Sequence, residues 1–115
     1  MANPHTARFW EVTSEKVEAA VRRIIEVSRP QQLILFGSYI RGETKVNSDL
    51  DILVVVPDDI KSPRQESVRI RRELRDILMP MDILVVPHGR WEQLKELPGT
   101  VYREAWMRGR IVYES

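Results

Sequence analysis

Asp49-Leu50-Asp51-Ile52-Leu53-Val54-Val55-Val56 sets two carboxylates at the mouth of an apolar run. The run reads as a strand from Asp49 or Asp51 to Val56. Side chains alternate across a strand, so Asp49 and Asp51 point the same way and Leu50 points the other. Two carboxylates on one face repel unless a cation lies between them, and a buried ionised group needs a partner or a metal. Two further runs carry polar groups at corresponding places. Leu33-Ile34-Leu35-Phe36 closes on Gly37-Ser38, and Asp82 opens Ile83-Leu84-Val85-Val86. Mg²⁺ takes oxygen ligands and is commonly shared between a few carboxylates and substrate phosphates. A third carboxylate from a neighbouring strand completes a set able to hold two metals. Gly37 permits a tight turn, and Ser38 with nearby N–H groups suits an anion. Together these residues point to a metal-assisted phosphate site.

Around these strands the chain alternates with helical patterns. Val17, Ala20, Val21, Ile24 and Ile25 form an apolar stripe at helical spacing, with Ser14 as the expected N-cap and Pro30 as the stop. A short helix is expected to start at Ser38, and residues 42–48 form a polar loop. Ser62-Pro63-Arg64-Gln65 reads as N-cap, first-turn proline and capping-box glutamine, opening a helix with Ile70, Leu74, Ile77 and Leu78 on one face. Pro80 stops it. Residues 89–97 and 100–108 are expected to be helical, and Gly109 releases a final strand from Arg110 to Tyr113. The pattern describes an α/β sandwich and permits either a mixed sheet or a parallel flavodoxin-like one.

The composite of Leu35-Phe36-Gly37-Ser38-Tyr39-Ile40-Arg41-Gly42-Glu43, Ser48-Asp49-Leu50-Asp51-Ile52-Leu53-Val54 and the later Asp82 resembles the signature of the minimal nucleotidyltransferases. These belong to the DNA polymerase-beta-like nucleotidyltransferase superfamily. Ile40 departs mildly from the small residue common at that place. Val101-Tyr102-Arg103-Glu104-Ala105 and Gly109-Arg110-Ile111-Val112-Tyr113-Glu114 resemble the tail of single-domain members. The resemblance implies the polymerase-beta-like α/β (α+β) fold, with a mixed β-sheet and flanking helices, as one domain over residues 1–115. It implies Asp49, Asp51 and Asp82 as catalytic residues and ligands of two Mg²⁺ ions. Gly37, Ser38 and Arg41 are then implied on the phosphates of ATP or another NTP. The implied reaction moves a nucleoside monophosphate to a hydroxyl. Because the chain has no second substrate-binding domain, the acceptor is expected on a protein partner or across a homo-oligomer. Stand-alone members often resemble antitoxins paired with a HEPN-type toxin, some of which receive AMP on a tyrosine. The competing expectation is a non-catalytic antitoxin, a binding module that neutralises its partner by stoichiometric complex formation. A purely structural cation site would not need Gly37-Ser38.

Composition narrows the remaining classes. A chain of 115 residues buries roughly 65% of its unfolded surface as one domain. Its 43% apolar content exceeds that of disordered chains, and a net charge of +1 gives no strong global pull on nucleic acid, which is not expected as a direct partner. The absence of cysteine excludes disulfides and thiolate metal sites and fits a cytoplasmic protein. No run reaches the ~18 apolar residues of a membrane span, and the N-terminus lacks the basic-then-apolar pattern of a signal peptide. Arg69, Arg71, Arg72 and Arg75 are interleaved with Glu66, Glu73 and Asp76 and read as a solvated helix face. Arg41 has two open readings, an ion pair with a site aspartate or a phosphate contact. His5 and His88 read as surface residues, and Trp91, Tyr102, Trp106 and Met107 as core.

Overall fold

The computed structural model describes residues 10–43 and 48–115. Helix α1 (Ser14–Ser28) is capped by Thr13, whose hydroxyl accepts from the Lys16 backbone N–H at 3.2 Å. The cap is therefore one residue earlier than expected at Ser14, with the same hydroxyl chemistry. Arg29, at φ 49°, closes α1 in the left-handed region ahead of Pro30. Strand β1 (Gln32–Phe36) follows, then β2 (Leu50–Val56). Helix α2 (Pro63–Glu73) starts as expected, with Ser62 accepting from Gln65 N–H and proline in the first turn. Strand β3 (Met81–Pro87), helices α3 (His88–Leu94) and α4 (Val101–Arg108), and strand β4 (Arg110–Glu114) complete the order.

The four strands form one mixed sheet in the order β3-β2-β1-β4. β1 runs antiparallel to both β2 and β4, while β2 and β3 are parallel, joined through α2. The mixed alternative is thus realised. Side-chain alternation splits the core into two layers. Leu33, Leu35, Ile52, Val54, Ile83 and Val85 pack with Ala20 and Ile24 of α1 and with Ile70 and Leu74. Ile34, Phe36, Leu53, Val55 and Val86 pack with Trp91 of α3 and Ala105 of α4. With both faces covered, the central strand β2 is a near-continuous apolar run, and that is why its aspartates stand out.

Two expectations about α4 and its neighbours need correction. Trp91 is fully buried, but Trp106 is 36% exposed and Met107 63% exposed. In an eight-residue helix only one narrow stripe meets the sheet, here through Ala105 with Tyr102 beside it. Trp106 instead lies edge-on to Trp91, with centroids 6.1 Å apart, and carries the Lys95 ammonium 4.5 Å from its ring centre. His88 is on the surface, 3.5 Å from Glu92, whereas His5 lies outside the described residues. Among the described residues, no helix is long and apolar enough to cross a membrane.

Candidate active site

Register builds the site. Asp51 pairs with Phe36 on one side and with Asp82 on the other, so the end of β1 and the starts of β2 and β3 meet at one rim. A hydrogen bond of 3.1 Å from Leu50 N–H to the Pro80 carbonyl holds the two aspartate-bearing strand starts level. Asp51 and Asp82 share the sheet face of Leu53 and Val55, the side covered by α3 and α4.

Gly37 closes β1 against this rim. Its φ is +96°, and a Cβ there would fall 2.5 Å from Asp51 Oδ2, 3.1 Å from Asp51 Cγ and 3.2 Å from the Asp49 carbonyl. Only glycine brings the chain so near a carboxylate in this conformation. Ser38 then ties the turn to β2. Its hydroxyl accepts from Asp49 N–H at 2.9 Å and lies 3.4 Å from the Asp49 carbonyl, to which it can donate. Tyr39 N–H donates to the same carbonyl at 3.1 Å. The expected helix starting at Ser38 is not formed. The chain makes a single irregular turn, with Arg41 N–H on the Gly37 carbonyl at 3.1 Å, Gly42 N–H on Tyr39 at 3.2 Å and Glu43 N–H on Ser38 at 3.1 Å. The Ser38 hydroxyl serves Asp49 rather than a helix N-terminus, and Gly42, at φ +80°, turns the chain away.

The charges at the rim are unbalanced. Burial pushes the Asp51 carboxyl above the usual carboxylate range, and the charges of Asp82 and Asp49 add to the rise; Arg41 opposes it. Among the described residues, neither Asp49 nor Asp51 has a cationic side chain in ion-pair contact. Arg41 makes its ion pairs with neither site aspartate. It lies 3.3 Å from both Glu43 and Glu104, while its charge still acts on Asp51. Arg71 of α2 reaches Asp82 around the β3 edge, its guanidinium 2.7 Å from Oδ1 and 3.3 Å from the Ile83 carbonyl.

Carboxylates at one rim, with Gly37 letting the turn approach the Asp51 carboxylate, are the donor chemistry that suits a hard divalent ion. The donor set is not a closed cage: among the described residues no group of three or more His, Asp or Glu side chains is drawn together enough to hold a metal. An open arrangement is what a metal shared with substrate phosphates requires. Two participants escaped the sequence reading. Arg71 was assigned to a solvated helix face, and Glu104 carried no signal. Arg69 likewise has a structural post, bonding Glu66 at 2.8 Å and the Val27 carbonyl at 2.8 Å. Glu66 is buried and accepts from the Ser28 hydroxyl at 2.7 Å.

A mixed sheet thus brings a glycine-serine turn and strand-edge carboxylates to one rim. The chain belongs to the nucleotidyltransferase domain family, which it matches over residues 14–112, and so to the enzymes that transfer phosphorus-containing groups. No curated protein matches the sequence. The solved structures that share the fold include the following two. One is a toxin–antitoxin with AMP-PNP, at 19% identity and TM-score 0.53, covering 90% of this chain and 75% of the other. The second is described as a nucleotidyltransferase from Sulfolobus solfataricus, at 18% identity and TM-score 0.51, covering 90% of each chain.

Proposed function

We propose that this chain is a single nucleotidyltransferase domain over residues 1–115 that moves AMP from ATP to a hydroxyl acceptor, a tyrosine of a HEPN-type toxin partner. The observation that carries the reading is the register of Asp51 beside Asp82, with Gly37 fitted against the Asp51 carboxylate. Asp49, Asp51 and Asp82 are assigned as the ligands of two Mg²⁺ ions. Bound there, Mg²⁺ supplies charge neutralisation on the triphosphate and a lowered pKa for the attacking hydroxyl.

The protein's own groups do the rest. The turn at Gly37 and Ser38 lies against Asp49 and Asp51 and is assigned the phosphate oxygens of the nucleotide. Arg41 adds positive charge beside Asp51. Asp82 stands at the exposed rim, open to an incoming acceptor, and is assigned the proton of its hydroxyl. The acceptor oxygen attacks the α-phosphorus, the bond to the β-phosphate bridging oxygen breaks, and pyrophosphate leaves. Positioning and electrostatics, not covalent catalysis, lower the barrier. The toxin-partner reading draws support from the likeness to a toxin–antitoxin with AMP-PNP. The test is incubation with ATP, Mg²⁺ and the candidate toxin partner, followed by mass spectrometry of that partner. Addition of AMP to a tyrosine is expected. An unmodified toxin that is nonetheless neutralised would reject catalysis in favour of stoichiometric binding.

A further inference from the structure

We propose that Arg71 is a positioning residue that holds Asp82 out of the metal site in the unloaded protein and releases it on loading. The inference rests on the nucleotide-site reading above. Parallel register sets the Asp51 and Asp82 backbones side by side, and among the described residues no three or more His, Asp or Glu side chains are gathered closely enough to hold a metal. The Asp82 carboxylate is engaged from the other direction. Arg71 comes from α2, which packs against the opposite layer of the core through Ile70, and reaches around the open edge of β3. One guanidinium nitrogen contacts both Asp82 Oδ1 at 2.7 Å and the Ile83 carbonyl at 3.3 Å. The second contact anchors the arginine to the strand, so Asp82 is held toward the sheet edge.

The latch is built to open. Arg71 is 49% exposed and Asp82 73% exposed, so the pair is water-screened and weak. A divalent ion shared with Asp51 and a triphosphate offers Asp82 a stronger field than a solvated guanidinium. Arg71 thereby keeps three carboxylates from converging while the site is empty, and makes Asp82 the last ligand to join.

Mn²⁺ binding in the presence of a non-hydrolysable ATP analogue, read by electron paramagnetic resonance, tests this without turnover. Arg71→Ala is expected to bind Mn²⁺ about two- to five-fold tighter than wild type, the range of an exposed ion pair. Arg72→Ala removes the same charge from the same helix, beside Val68 and Arg69 and away from Asp82, and is expected to leave binding unchanged. Asp51→Asn is expected to lose binding. If Asp51→Asn loses Mn²⁺ while Arg71→Ala binds no tighter than Arg72→Ala, the latch is overturned and the metal site stands. If wild type and Asp51→Asn bind Mn²⁺ alike, the site reading fails and the latch fails with it.

Discussion

Replacing Gly37 by alanine perturbs the site through one methyl group. At φ +96° the new Cβ meets left-handed strain of about 1–2 kcal/mol. It also lands 2.5 Å from Asp51 Oδ2, well inside van der Waals contact, so the carboxylate must turn off its rotamer at about 1 kcal/mol. The Asp49 carbonyl, 3.2 Å away, is pinned by Ser38 and Tyr39 and cannot relieve the clash. The sum is about 2–3 kcal/mol, or about 8–12 °C in Tm for a domain of this size. Gly42→Ala is the matched control. Its φ is +80°, but nothing lies within 4 Å of a Cβ there, so strain of about 1–2 kcal/mol acts alone. Thermal melts and isothermal titration with ATP analogue and Mg²⁺ should show both variants destabilised, Gly37→Ala more so. Only Gly37→Ala should lose nucleotide–metal affinity, because only it displaces the Asp51 carboxylate. Equal nucleotide affinity in the two variants would refute the close fit of turn and carboxylate as a functional device.

Ser38→Ala leaves Asp49 N–H without its 2.9 Å partner and should cost about 1 kcal/mol in denaturant melts, with weaker nucleotide binding by titration. A stability loss with unchanged affinity would reduce Ser38 to a structural clip. Asp51→Asn should stabilise the unloaded protein while abolishing transfer. The folded-state pKa of Asp51 is raised, so its ionisation costs stability as pH climbs through the ordinary carboxylate value toward the raised one. The gain in the variant should therefore be present at neutral pH and vanish in acid, where Asp51 is protonated in both states; melts across pH read this directly. Glu66→Ala removes a buried acceptor of Ser28 and Arg69 and should cost about 2 kcal/mol without touching nucleotide affinity. Its pKa is lowered, chiefly by the Arg69 hydrogen bond, so its contribution is present above the unfolded-state pKa and lost as pH falls through the folded one.

The parts of this structure that sequence reveals are those fixed by local pattern. The apolar runs locate β1, β2 and β3 to within a residue, although β2 starts at Leu50 and so leaves Asp49 just ahead of the strand whose alternation was expected to set its face. Pro63 after Ser62 marks the start of α2 for equally local reasons. What escaped depends on contacts between distant segments. Ser38 has a hydroxyl that suits a helix cap, and its partner eleven residues later wins instead. Arg71 sits among exposed arginines with nothing in its periodicity to distinguish it, and its role appears only once β3 is known to be the sheet edge. Met107 and Trp106 have core-like chemistry, but an eight-residue helix offers several apolar stripes, and which one meets the sheet is decided by tertiary packing.

The central claim is that this rim directs attack to the α-phosphorus of a nucleoside triphosphate. The direct measurement supplies the protein, Mg²⁺ and the proposed partner with ATP labelled at either the α- or the γ-phosphate and follows covalent label on that partner. The account predicts stable labelling from α-labelled ATP, none from γ-labelled ATP because that phosphorus departs in pyrophosphate, and loss of the α-signal in Asp51→Asn. Transfer of the γ-label, or an α-signal that survives Asp51→Asn, would contradict it.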